Sequence, residues 1–133
     1  CIAVGHLSDT DDIEYIGSFA DMGCYIALDR LYADTSSEYI DSKVKQILQL
    51  CDAGYENMIL LSHDDSVFQG FLEKPHITKP RYSYMFKYIL PCLERSLAKK
   101  ISEENPLNML EQINLQIFTE GTHRNDEIPR RNT

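Results

Sequence analysis

Three short apolar runs in this chain each end in side chains able to bind metal, move protons or grip an oxyanion. Ile2-Ala-Val-Gly5 runs into His6, Tyr25-Ile-Ala-Leu28 into Asp29-Arg30, and Met58-Ile-Leu-Leu61 through Ser62 into His63, Asp64 and Asp65. Imidazole is the commonest ligand for zinc and its neighbours, which makes His6 a candidate ligand; the alternative is a histidine hydrogen-bonded within a loop. Asp64 can ligate a metal and accept a proton from an activated water. It can also cap the segment that follows, and alternation along a strand sends His63 and Asp65 to the side opposite Asp64. Arg30 suits recognition of carbonyl or phosphoryl oxygen, and Asp29-Arg30 can equally be a local ion pair. Asp9 reads most simply as a helix cap.

Such groups do chemistry only if something brings them together. An apolar run of four to six residues bounded by polar ones reads as a strand buried on both faces of a parallel sheet. Parallel strands deliver all their C-terminal ends to one edge, where α/β folds place ligand and catalytic groups. The intervening segments supply the crossovers. Ser8, Asp9 and Thr10 are competent caps for a helix starting near Asp11, and Ile13, Ile16, Phe19 and Ala20 form its apolar face. A second helix is expected from about Tyr39 to Ala53, with Val44, Ile47, Leu48 and Cys51 as its stripe. Gly23 and Gly54 stand where helices end. The pattern βαβαβ, with strands Ile2–Gly5, Cys24–Leu28 and Asn57–Leu61, predicts right-handed parallel crossovers. A long loop, 65–82, carries Phe68, Phe71, Pro75, His76 and Pro80, and its length favours a lid. A helix Ser83–Lys100 broken at Pro91 and a last helix opened by Ser102-Glu-Glu-Asn-Pro106 complete the domain at about residue 120; the tail 121–133 reads as disordered.

The chain of 133 residues is one domain long, with 43% hydrophobic and 26% charged residues, the balance of a globular protein. A net charge of −8, with 13 basic residues that are not clustered, argues against nucleic-acid and anionic-membrane partners. The apolar runs are too short for a membrane span. Cysteines 1, 24, 51 and 92 show no zinc-finger spacing and predict buried free thiols in a reducing compartment, by default the cytoplasm. The chain opens on Cys1 with a strand already under way, which predicts an upstream segment.

Gly5-His-Leu-Ser-Asp-Thr-Asp-Asp12, Tyr25-Ile-Ala-Leu-Asp-Arg30 and Ile59-Leu-Leu-Ser-His-Asp64, taken with their spacing, resemble the phosphotriesterase family of the amidohydrolase superfamily. The likeness covers about residues 1–118. It implies an α/β fold corresponding to strands six to eight and the terminal helices of a TIM (β/α)8 barrel, three strands being too few to close one. It further implies a zinc-dependent hydrolase. His6 would bind one ion of a binuclear zinc centre; Asp64 would bind the other and take the proton of the bridging hydroxide. Asp9 would serve the proton path, with Asp29 beside it supporting the metal ligands. Arg30, where phosphotriesterases proper tend to have histidine, resembles the lactonase branch and would neighbour substrate, with Phe68 and Phe71 lining the loop above. The remaining family ligands have no counterpart here, so the chain alone is expected to lack tight zinc binding and activity. The partners implied are a small-molecule ester, lactone or phosphotriester; an exposed half-barrel edge would favour a homo-oligomer. The alternative is a non-catalytic α/β interaction module without metal.

Overall fold

A computed structural model describes residues 1–31, 35–64 and 82–113 of the chain. Three strands, β1 (Ala3–Val4), β2 (Tyr25–Leu28) and β3 (Ile59–Leu61), form a parallel sheet in that order. Ala3 pairs with Tyr25 and Val4 with Ile26; on the other side Ile26, Ala27 and Leu28 pair with Ile59, Leu60 and Leu61. The sheet is shorter than the apolar runs suggested because its outer strands pair on one side only. The ladder continues past them through Tyr25 N–H to Ile2 C=O (2.8 Å) and Ser62 N–H to Leu28 C=O (3.2 Å).

Helix α1 (Ile13–Asp21) joins β1 to β2, and α2 (Ser37–Asp52) leads from β2 towards β3. Asp12, not an earlier residue, caps α1 by accepting the Tyr15 N–H, and Ser36 caps α2 by accepting the Tyr39 N–H. Both helices end on a left-handed glycine, Gly23 (φ 81°) and Gly54 (φ 91°). In each case the next amide reaches back to the last turn, Cys24 to Phe19 and Tyr55 to Leu50, both at 3.0 Å.

Central strand β2 is buried along Tyr25, Ile26 and Leu28, as a strand covered on both faces must be. Ile16 from α1, Ile47 and Leu50 from α2, and Ile59 from β3 pack around it with no exposure. Burying each such side chain contributes roughly 1.5–3 kcal/mol of transfer free energy. The expected stripe of α2 needs one correction: Leu50 faces the core, while Leu48 is 41% exposed.

The C-terminal region departs further from expectation. A π-helical turn (Met85–Ile89) runs into a 3-10 turn containing Pro91 (Leu90–Cys92), and the chain then straightens at Leu93. Glu94 opens a new helical run: α3 (Arg95–Lys99), a π-turn (Lys100–Glu104) and helix 105–113 without a break. The real boundary is therefore Glu94, whose carboxylate accepts the Ser96 and Leu97 amides. Ser102 is no cap; its hydroxyl donates to Ala98 C=O at 2.7 Å inside the helix. Asn105, 1% exposed, sends its amide nitrogen to both Glu56 C=O and Ile59 C=O at 2.8 Å, tying this run to the start of β3. The expected lid, its residues Phe68 and Phe71, and the tail 121–133 lie outside the described residues. All four cysteines are free, but none is buried: Cys24 and Cys51 are half-buried, and Cys1 and Cys92 are exposed.

Candidate active-site rim

The strand tips do converge. His6, Arg30 and Asp64 are the three described non-glycine residues with positive φ, at 63°, 61° and 48°. One stands just beyond each strand. Aspartate and histidine tolerate this left-handed region better than most residues; arginine gains no such relief. Each such residue costs on the order of 1–3 kcal/mol, which surrounding structure must offset. Three residues left in that region at one edge of one sheet mark that edge as the place where the chain gives up stability for geometry.

Asp29 organises the first tip. Its Oδ1 accepts the His6 backbone N–H at 2.8 Å and lies 3.0 Å from His6 Nδ1. Its Oδ2 sits 3.2 Å from where a β-carbon on Gly5 would be, so the carboxylate reaches the backbone only because residue 5 is glycine. The Ser8 hydroxyl donates to Asp29 C=O and closes the turn Leu7–Asp9 against β2. A carboxylate on one ring nitrogen fixes the imidazole and directs the other nitrogen outward, the support that metal-binding histidines receive. Among the described residues His6 Nε2 has no partner, and the side chain is 52% exposed.

Arg30 organises the second half. It does not pair with its neighbour Asp29. Its Nε donates to Asp64 Oδ2 at 3.1 Å and its Nη1 to Asp9 Oδ2 at 2.6 Å, so one guanidinium spans the first and third tips. The Asp64 bond above all pushes the Arg30 pKa up from its ordinary value; desolvation opposes it, and Asp9 adds to the rise. Nη2 has no partner among the described residues and remains a free planar donor. Asp64 Oδ2 also lies 4.0 Å from His6 Nδ1. Asp9 is thus an ion-pair partner and not the cap of α1. His63 faces the other way, as alternation requires: its Nε2 accepts the Met85 N–H at 3.4 Å and its ring meets Tyr82 edge-on at 6.3 Å.

These side chains fit part of a metal site and do not complete one. A catalytic zinc takes three protein ligands and an open position. The rim offers an imidazole nitrogen and a carboxylate, and among the described residues no three His, Cys, Asp or Glu side chains form a metal-binding group.

The α2 contacts that hold the rim from beneath were not apparent in the sequence. Lys43 Nζ donates to Ser8 C=O at 2.6 Å, Gln46 Nε2 to Thr10 C=O at 2.5 Å, and Tyr39 OH to Arg30 C=O at 3.3 Å. Their spacing of four and three residues could have signalled a shared helix face, but polar residues on a helix ordinarily read as solvated.

A parallel α/β sheet here gathers an imidazole, three carboxylates and a guanidinium at its carboxyl edge, where α/β folds place ligand and catalytic groups. Comparison with known proteins gives the family. The phosphotriesterase family model matches residues 1–118, and the chain belongs to that family. An aryldialkylphosphatase of Saccharolobus solfataricus is 34% identical over 79% of this chain and 37% of its own length. A phosphotriesterase homology protein of Mycobacterium tuberculosis is 26% identical over 71% of this chain and 30% of its own length. The solved structure of the phosphotriesterase from Mycobacterium tuberculosis shares the fold, with a TM-score of 0.63 at 20% identity over 78% of this chain and 35% of that one. The chain therefore spans about a third of the length of the relatives it matches. Members of the family are metal-dependent hydrolases.

Proposed function

We propose that this chain forms the C-terminal part, strands six to eight and the terminal helices, of a zinc-dependent TIM-barrel hydrolase, with residues 1–120 as its folded portion. The convergence of His6, Arg30 and Asp64 at one sheet edge carries the proposal. His6 Nε2 and Asp64 supply two ligands of a binuclear zinc centre whose other ligands lie outside this chain. When bound, zinc would supply an activated water and polarise the bond under attack. Asp64 takes the proton of the attacking water, and Asp29 holds the His6 ring. Asp9, which shares the Arg30 guanidinium with Asp64, is the next carboxylate on the proton path. The free Nη2 of Arg30 points the substrate class towards carbonyl or phosphoryl oxygen, in the order lactone or ester, then phosphotriester. The free cysteines fit a reducing compartment such as the cytoplasm.

The test is hydrolysis of a lactone panel and a phosphotriester by the full-length parent protein. Activity lost on chelation and restored by zinc supports the reading; a parent that is active after complete metal removal sinks it. The 133-residue chain alone is expected to show no tight zinc binding by calorimetry, and a stoichiometric binuclear site in it would overturn the shared-site account. One observation favours a second reading, a metal-free interaction module: the Arg30 guanidinium already satisfies Asp64 and Asp9. A metal-free, inactive parent would establish it.

A further inference from the structure

We propose that one face of α2, formed by Tyr39, Lys43 and Gln46, is the positioning device of the rim, holding His6 and Arg30 in their left-handed conformations. The proposal rests on the functional reading of the rim given above, but it concerns residues to which that reading assigns nothing.

The three side chains are spaced four and three apart, so they share one stripe of the helix. They donate to three consecutive points of the rim backbone: Tyr39 OH to Arg30 C=O, Lys43 Nζ to Ser8 C=O and Gln46 Nε2 to Thr10 C=O. Ser8 and Thr10 flank Asp9, and the turn that carries them begins at His6. Arg30 C=O belongs to a left-handed residue itself. The Lys43 ammonium lies 5.7 Å from the centre of the Tyr39 ring, which keeps both side chains on that stripe.

Gln46 shows that the arrangement is not ordinary helix packing. It is 2% exposed, and among the described residues its Oε1 is a buried acceptor with no hydrogen-bond partner. An apolar residue there would fill the same space without stranding a carbonyl, and buried unsatisfied groups in native proteins call for an explanation. Among the described residues the side chain makes a single hydrogen bond, to Thr10 C=O. The chain keeps a locally unfavourable amide because that amide grips the rim. Backbone held in sparsely populated regions persists only where its surroundings over-determine it, and these three bonds supply that constraint.

The test compares Gln46→Met with the unaltered 133-residue chain by thermal unfolding and by backbone NMR. Methionine keeps the volume and removes both the donor and the stranded acceptor. The expected result is an unchanged or higher Tm together with loosening confined to the rim. Order parameters over residues 6–10 should fall from about 0.85 to below about 0.6, while β2 keeps its values. The carbon shifts that report the left-handed conformation of His6 should move toward averaged values. A lower Tm with an unaltered rim would show Gln46 to be a packing residue and overturn the proposal. Should Gln46→Met fail to fold, the half-buried Lys43 decides. A turn loosened by Lys43→Met and restored by Lys43→Arg supports the device; a turn unmoved by Lys43→Met overturns it. Because the readout is backbone conformation and not hydrolysis, a parent without hydrolase activity would sink the functional reading while leaving this result standing.

Discussion

The two ends of the small sheet are built on opposite terms. At the carboxyl end the chain sets three left-handed residues side by side, leaves His6, Arg30, Asp9 and Asp64 between 40% and 52% exposed, and ties them with ion pairs. At the amino end of β3, one buried asparagine satisfies two backbone carbonyls, and Lys100 Nζ bonds the Asn57 side chain at 2.6 Å. The first arrangement is strained, charged and half-exposed; the second is relaxed and has a neutral, buried side chain at its centre. Exposed ion pairs are each worth little to stability, about 0–1 kcal/mol, whereas leaving a buried carbonyl unpaired costs about 1–3 kcal/mol. The rim therefore spends stability on geometry, and the opposite end recovers it.

That contrast predicts opposite responses to mutation. The largest effect should come from Asp64→Asn in the full-length parent: kcat/KM falls by about 100- to 10,000-fold, the usual worth of a positioned proton acceptor, with Tm nearly unchanged. Steady-state assays beside a thermal melt would check it, and a large drop in Tm would mean that the rim is structural after all. Asn105→Leu should do the reverse. It strands the Glu56 and Ile59 carbonyls, so stability should fall by roughly 2–4 kcal/mol in denaturant titrations while the rim keeps its conformation. A stability change under about 0.5 kcal/mol would break the comparison.

The rim was legible in the sequence to the extent that strand ends are. Apolar runs of four to six residues bounded by polar ones read as buried parallel strands, and the shared sheet edge then follows from topology. What could not be read was which tip binds which. Asp29 and Arg30 are neighbours in sequence, yet the strand end turns them apart, one to His6 and the other to Asp9 and Asp64. The left-handed φ at Arg30 decides that split, and arginine carries no sequence signal for such a conformation. The amino end was misread for a different reason. Ser102-Glu-Glu-Asn-Pro106 has the composition of a helix start, but Asn105 is drawn into the core by carbonyls near β3, and tertiary hydrogen bonds outweigh local capping preference.

Between the extremes stands Asp29, which belongs to the rim but is 9% exposed. Asp29→Ala should therefore show both signatures at intermediate size. Loss of the two bonds to His6 should cost about 1–2 kcal/mol, and the His6 ring should lose its fixed orientation, visible as averaged side-chain NMR signals. An effect on stability alone would move Asp29 from the rim to the scaffold.

The smallest effect tests the partial burial of Cys51 near the amino end. Burial raises its thiol pKa above the usual 9.0; the nearby Glu56 and Asp52 carboxylates add to the shift, and Lys100 opposes it. The thiolate is the reactive form, so near pH 8 iodoacetamide should modify Cys92, which is exposed, well before Cys51. The sign for stability follows from the same shift. A thiol whose pKa is higher in the folded state contributes stability that is complete below the unfolded pKa and fades as pH rises through the folded value. Lys100→Met removes the one opposing charge, so Cys51 should react more slowly still, with the rate at Cys92 unchanged. Mass-mapped alkylation time courses would show it; a Cys51 as reactive as Cys92 would mean that its partial burial does not protect the thiol.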